Sequence, residues 1–212
     1  MTYWVAYLRT IDTPTLANAD ELLKVRPNHE GVAPLSLRCL FPELGCMCGC
    51  AVTAQVETVT QTGDFDLNGF LELYRQVAAA PKPAVIVLQE IGGLTDYAAH
   101  CGEVMATFLT RLGAIGLVSD CGVRDLPEVR RLGFRYFARG SVASHAHFRI
   151  VRSGTPVQIL GTAVMPDDLL HGDENGLITV PCGLESTLPA RVEEVRRREA
   201  GSPQWMRCSG SA

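Results

Sequence analysis

Hydrophobic and polar positions follow two different periods through the middle of the chain. Apolar and polar residues alternate over 51–60, which predicts a half-exposed strand. Over 66–79 apolar residues recur at helical spacing, and proline residues end that pattern. Two short apolar runs, 84–88 and 114–118, are rich in β-branched residues, as is typical of buried strands.

A further helix is predicted between the two buried strands. It starts at Glu103 and ends at Gly113, a C-terminal cap position. Its apolar positions are expected to be buried, namely Val104, Met105, Phe108, Leu109 and Leu112. A short helix starting at Asp125 and a strand over 134–138 follow. Because strands and helices alternate, this part of the chain predicts an α/β fold with a parallel or mostly parallel sheet and right-handed crossovers.

The pattern changes beyond residue 140. Strand-like runs at 148–151, 157–164 and 177–180 are joined by turns without helices, so they are expected to be antiparallel and to add a second β layer. A charged helix is predicted over 184–199, and a disordered tail over 201–212. No repeat or linker interrupts the chain, which predicts a single domain.

The first 50 residues have little periodicity apart from one helix over 12–23, capped by Asp12 or Thr13. At 212 residues the chain is long enough for a substantial core within one domain, 1–200. Its net charge of −4 gives no electrostatic reason to expect binding to nucleic acid or to an anionic membrane. It has neither a membrane-spanning apolar run nor a secretory signal, so we expect a soluble cytoplasmic protein.

Two short clusters could bind metal. Three of the eight cysteines lie in the segment Cys46-Met47-Cys48-Gly49-Cys50, and His145 and His147 form an H-x-H pair. The cysteine spacing is not C-x-x-C and no second ligand cluster accompanies it, which favours small buried side chains on one strand face. The histidine pair lacks an evident third ligand, which favours surface positions.

Two charged features lie beside the strand at 114–118. Gly102 opens the preceding helix, so the N–H groups of Val104 and Met105 are available to a carboxylate or phosphate. After the strand, Arg124 offers a bidentate contact to a carboxylate, and Asp125 offers an oxygen ligand to Mg²⁺ or Mn²⁺. Together with Glu103, these residues would suit a small 2-oxo acid.

A structural interpretation of the same residues stays open on spacing alone. Asp125-x-x-Glu128 is similar to a capping box, in which Asp125 would only cap the following helix. Arg124 would then be a solvated charge, and Glu103 a favourable acid in a first helical turn.

The paired motifs resemble a known family. Gly102-Glu103-Val104-Met105-Ala106 and, about twenty residues later, Ser119-Asp120-Cys121-Gly122-Val123-Arg124-Asp125 are similar to the motifs of class II 4-hydroxy-4-methyl-2-oxoglutarate aldolases. That family also contains the ribonuclease E activity regulator A proteins. Supporting matches along residues 11–199 include those at 13–19, 132–140 and 168–176.

The resemblance implies an α-β-β-α sandwich like the swivelling phosphohistidine domain, assembled as trimers or hexamers. It implies that Gly102 to Met105 and Arg124 bind the pyruvate unit, that Asp125 holds the divalent metal, and that Glu103 orients a metal-bound water. The implied reaction is retro-aldol cleavage of a 4-hydroxy-2-oxo acid to pyruvate, with oxaloacetate decarboxylation as a second activity. The alternative is a non-enzymatic regulator that binds ribonuclease E or a helicase.

Some residues depart from the family pattern. Cys101 and Cys121 lie next to the motifs and are expected to alter the pocket lining. The family site also takes an acid from a neighbouring subunit, for which Glu193, Glu194 and Glu199 are candidates.

Overall fold

The computed structural model describes residues 2–59, 66–145 and 147–201. The described helices are Thr2–Leu8 (α1), Thr13–Glu21 (α2), Leu67–Ala79 (α3), Glu103–Arg111 (α4), Leu126–Arg131 (α5) and Leu188–Ala200 (α6). The first group of strands comprises Arg38–Cys39 (β1), Met47–Val59 (β2), Ala84–Glu90 (β3), Ala114–Ser119 (β4), Gly122–Val123 (β5) and Arg135–Ala138 (β6). The second comprises Gly140–Ser141 (β7), His147–Ser153 (β8), Val157–Ile159 (β9), Thr162–Val164 (β10), Leu169–Asp173 (β11) and Gly176–Val180 (β12).

The central α/β prediction is confirmed. Strands β2, β3, β4 and β6 are neighbours in the sheet and run parallel, with α3, α4 and α5 between them in the chain. The predicted cap of α2 is Asp12, whose Oδ1 accepts a hydrogen bond of 2.9 Å from the Thr15 N–H. Sequence reasoning missed α1. The predicted tail lies outside the described residues from position 202 onward.

The prediction that the C-terminal strands add a second β layer is wrong. β11 and β8 both pair antiparallel with β2, and β12 pairs with β11, so all three extend the main sheet. This is possible because β2 spans 13 residues and pairs with β11 over 47–50 and with β8 over 54–59. The β9–β10 hairpin alone among these strands stands apart, with Val157 and Ile159 packed in the cluster that contains Val85.

The sheet is nearly closed and barrel-like. Its order is β1-β6-β4-β3-β2-β11-β12, and one chain segment touches both ends: Val32 forms a bridge with Ile178 of β12, and Arg38 pairs with Ala138 of β6. Side chains fill the interior, including Met47, Val85, Val118, Phe137 and Leu170. The likeness to a swivelling phosphohistidine domain stays a prediction.

Helices pack on the outside of this sheet in two groups. One group buries Leu73 of α3, Leu109 of α4 and Val129 of α5, while α1, α2 and α6 share a second apolar cluster. The burial predicted for α4 was partly wrong, because Val104 is 71% exposed and Phe108 is 51% exposed. α4 rests on a narrow stripe of small and apolar residues, and its other apolar side faces an open cavity. None of the described helices combines the length and the apolar character needed to cross a membrane.

Candidate active site

Backbone hydrogen bonds bring the two sequence motifs together at the carboxyl ends of the parallel strands. The His100 N–H donates to the Gly122 carbonyl over 3.0 Å, and the Arg124 N–H donates to the Cys101 carbonyl over 2.9 Å. Gly102 therefore lies beside Arg124, although they are far apart in the chain. This is the edge at which open α/β sheets place their ligands.

Asp125 occupies the N-cap position of α5, but its side chain does not cap that helix, so the capping-box interpretation of Asp125 is wrong. Its backbone is left-handed, with φ 57° and ψ 42°, and its side chain makes no capping bond to α5. Instead its Oδ2 accepts a 2.9 Å hydrogen bond from the Glu103 N–H, one of the first-turn donors of α4. The left-handed conformation thus turns the carboxylate towards the other motif.

Gly102 is needed for this close approach. A Cβ on Gly102 would collide with Asp125 Oδ2 and would lie 3.0 Å from Arg124 Nε. Arg124 Nε is itself 3.7 Å from Asp125 Oδ2, and both side chains are about one-third exposed. Glu103 is exposed at the same helix start. In the part of the chain that the structure describes, the N–H groups of Val104 and Met105 have no acceptor.

These residues open onto a cavity of about 510 Å³. Its lining includes Gly102, Arg124, Asp125 and His145. Its wall is largely apolar and comes from α3, α4 and β8: Leu67, Phe70, Leu71, Tyr74, Val104, Met105, Phe108 and Phe148. The structure therefore joins the predicted substrate-binding residues to an apolar pocket that the sequence motifs did not indicate.

Asp125 fits a divalent cation of the Mg²⁺ type in its donor chemistry. Among the described residues only Oδ2 is engaged in hydrogen bonding, which leaves Oδ1 available, and Asp125 lines the cavity. Mg²⁺ prefers oxygen ligands and commonly keeps several waters, so one or two carboxylates are enough.

A buried polar network that sequence reasoning missed supports the loop before Arg124. Nε2 of His100 lies 3.0 Å from Glu90 Oε2, and its Nδ1 lies 2.9 Å from Ser119 Oγ. Ser119 Oγ accepts a 3.0 Å hydrogen bond from the Cys121 N–H. Isolated Glu and His residues carry no spacing signal, so only the fold could bring them together.

The network shifts two carboxyl pKa values in opposite directions. Burial by itself would raise the pKa of Glu90, but hydrogen bonds from His100, Thr58 and Gly92 lower it to about 2. Burial raises the pKa of Asp120 to about 6, although the Glu90 N–H donates to it. Glu90 is therefore a stable buried anion.

Cys121 belongs to this network and not to the cavity lining, contrary to the expectation that it would alter the pocket; Cys101 does line the cavity. The donor atoms of Glu90, His100 and Cys121 lie within 4.8 Å of one another, the one such group of three found among the described residues. The Glu90 oxygens and both His100 nitrogens already have hydrogen-bonding partners.

The cysteine segment at 46–50 and the H-x-H pair fit the structural positions that the sequence favoured for them. Cys48 and Cys50 are buried on β2, and Cys46 Sγ lies 3.1 Å from Nε2 of the buried His171. Burial raises the pKa of Cys46 to about 12, so its thiol stays protonated. His145 and His147 are exposed, and Ala146 between them lies outside the described residues.

A family model described as "RraA-like: Aldolase/RraA" matches residues 13–179, most of the chain. The chain belongs to the RraA-like family. It is 28% identical over 131 residues to a Halalkalibacterium halodurans protein named "Putative 4-hydroxy-4-methyl-2-oxoglutarate aldolase", an alignment that covers 61% of this chain and 60% of that protein. It is 24% identical over 127 residues to Protein DlpA of Legionella pneumophila, covering 57% of this chain and 20% of that protein.

The chain thus matches less than two thirds of the length of either relative. Among solved structures it is similar to Streptomyces coelicolor RraAS2, described as an unusual member of the RNase ES inhibitor RraA protein family. The TM-score is 0.70 with 20% identity, and the match covers 93% of this chain and 92% of RraAS2. That likeness establishes the RraA-like fold.

Proposed function

We propose that the protein is a divalent-metal-dependent lyase that cleaves a 4-hydroxy-2-oxo acid to pyruvate. The observation that carries the proposal is the convergence of Gly102, the first turn of α4, Arg124 and Asp125 on one cavity. The same proposal includes oxaloacetate decarboxylation as a second activity and assembly as trimers or hexamers. It also includes a cytoplasmic location and the α-β-β-α sandwich like the swivelling phosphohistidine domain.

Each residue has a role that follows from its chemistry. The Arg124 guanidinium would bind the C1 carboxylate through two parallel hydrogen bonds. The N–H groups of Val104 and Met105 would donate to the substrate oxygens and stabilise negative charge that develops on the pyruvate unit. Glu103, exposed at the same edge, would orient the water that accepts the proton of the C4 hydroxyl.

Asp125 would hold the metal ion, Mg²⁺ or Mn²⁺, through the oxygen that the described residues leave available. When bound, that cation would act as a Lewis acid towards the 2-oxo group. Of the three carboxylates considered for a neighbouring subunit's site, Glu193 and Glu194 already pair with arginines on α6. This favours Glu199 for that role.

The experiment is a pyruvate-release assay on the purified protein. We expect pyruvate from 4-hydroxy-4-methyl-2-oxoglutarate or oxaloacetate with Mg²⁺ or Mn²⁺, and its loss on adding EDTA. Asp125→Asn should reduce turnover roughly 100-fold or more, because an amide is a much weaker metal ligand than a carboxylate. Its stability should change by less than about 1 kcal/mol, since the amide oxygen can still accept the Glu103 N–H.

Asp167→Asn is the matched control. Asp167 is also left-handed, at φ 68°, but is exposed and does not line the cavity. Its activity should match that of the parent protein. Folded protein that releases no metal-dependent pyruvate would refute the lyase proposal and favour the regulator alternative, for which Asp125→Asn should have no effect.

A further inference from the structure

The cavity lining combines two kinds of residue. Arg124, Asp125 and the start of α4 suit the pyruvate unit of the proposed substrate. Most of the other lining residues are leucine and aromatic side chains from α3, α4 and β8, which form its apolar wall. Leu67, Leu71 and Phe108 on this wall remain 56%, 40% and 51% exposed, so an apolar group entering the cavity would cover them.

The cavity holds one permanent cation among its described lining residues, Arg124. If Arg124 binds the C1 carboxylate, the described lining residues offer no second permanent cation to a carboxylate at C4. The histidines that line the cavity do not replace it, because His100 is buried against Glu90 and a histidine such as His145 is not a permanent cation. Residues 60–65, which precede α3, add no lysine or arginine to the sequence.

A second carboxylate would therefore lack a cationic partner among the described lining residues and would lie against a largely apolar wall, which is costly. An aromatic or branched aliphatic group would instead be favoured there. We propose, on the basis of the proposed function, that the site prefers 4-hydroxy-2-oxo acids with an apolar substituent at C4 over dicarboxylic substrates.

The reaction is balanced without a further reactant. The C4 hydroxyl loses its proton, the C3–C4 bond breaks, and its electron pair stays with C3 as the pyruvate enolate. A proton added at C3 gives pyruvate. The other product is an apolar aldehyde or ketone.

The test compares two substrates in the same coupled pyruvate assay. The probes are 4-hydroxy-2-oxo-4-phenylbutanoate and 4-hydroxy-4-methyl-2-oxoglutarate, each with Mg²⁺ or Mn²⁺. Rates are counted per cleavage, because the first probe yields one pyruvate with benzaldehyde and the second yields two pyruvates. We expect kcat/KM to favour the phenyl compound by roughly tenfold or more, the scale on which apolar pockets discriminate. Equal rates, or a preference for the dicarboxylate, would overturn the inference and leave the lyase function intact. No pyruvate from either probe or from oxaloacetate would overturn both.

Leu71→Arg tests whether the apolar wall sets the preference. Leu71 is partly exposed on α3, so an arginine can be accommodated there and would supply the missing cation. The preference for the phenyl compound should fall by roughly tenfold or reverse. Leu35→Arg makes the same change at a residue that is 97% exposed and does not line the cavity, and it should leave the preference unchanged. An equal effect of both variants, or an unchanged preference in Leu71→Arg, would contradict the proposal.

Discussion

Asp125 is the residue whose role depends most on its backbone conformation. A non-glycine residue in the left-handed region is uncommon, although aspartate is among those that tolerate it best. Here that conformation directs the carboxylate to the Glu103 N–H and away from α5. Sequence spacing could not distinguish a role for Asp125 in capping α5 from a role in the site, because a capping box and a metal ligand require the same residue type.

Glu90 is the residue for which pH provides a test. Its pKa in the folded protein is about 2, below the 4.5 of a free side chain, so the ionised carboxylate stabilises the fold above about pH 4.5. That contribution is lost as the pH falls from 4.5 towards 2. Glu90→Gln should lower the free energy of unfolding by roughly 2 kcal/mol at neutral pH, and the difference should narrow in acid. Urea denaturation followed by circular dichroism at several pH values measures both.

Glu72→Gln is the matched control for this prediction. Glu72 lies on α3, where its half-exposed side chain pairs with Arg75 at 3.6 Å. The change should alter stability by less than about 0.5 kcal/mol at any pH. A difference between Glu90→Gln and the parent protein that does not vary with pH would contradict an ionised Glu90.

At the scale of elements, the first turn of α4 contributes backbone N–H groups to the site. The first-turn N–H groups of any helix lack acceptors within that helix. Here the Glu103 N–H donates to Asp125, and the next two residues, Val104 and Met105, line the cavity. Gly102 adopts extended backbone angles, φ −133° and ψ −171°, that any residue can adopt. Its lack of a side chain therefore serves the close approach of Asp125 and Arg124 and not the helix itself.

Gly102→Ala should reduce kcat/KM by roughly tenfold or more with little loss of stability, because its methyl group would push the Arg124 and Asp125 side chains out of position. Both side chains are partly exposed and can move without disrupting the core. The pyruvate assay and thermal unfolding measure the two effects.

Gly140→Ala is the control, since Gly140 has open space around the position of a new Cβ. It should retain parental activity and stability. If Gly102→Ala retained full activity, the close packing of the two motifs would be irrelevant to turnover.

At the scale of the whole molecule, closure of the sheet depends on tight packing in its interior. Gly172 on β11 faces Phe137 on β6, and a Cβ there would lie 2.7 Å from the ring and 2.9 Å from a Leu177 methyl group. Gly172→Ala should lower the free energy of unfolding by about 1–3 kcal/mol through overpacking. Chemical denaturation measures the change, with Gly140→Ala again as the reference. An unchanged midpoint would mean that the interior can absorb an extra methyl group.

The sequence by itself determined most of the elements and the identity of the charged motifs. Helix periods, apolar strand runs and turn residues are local signals, so α3, α4 and the parallel strands β3 and β4 follow from them. Residue types made Gly102, Glu103, Arg124 and Asp125 candidates, and the resemblance to the aldolase family, not spacing alone, favoured a site over helix capping.

Tertiary structure decided which of those elements and residues lie next to one another. Only the folded sheet places β8 and β11 along one edge of the long strand β2. Likewise, only the packing of α3 beside α4 makes the exposed Phe108 part of a cavity wall. The Glu90–His100–Ser119 network likewise joins three distant positions. Such contacts depend on pairing between remote segments, whereas periodicity records only which face of its own element a residue occupies.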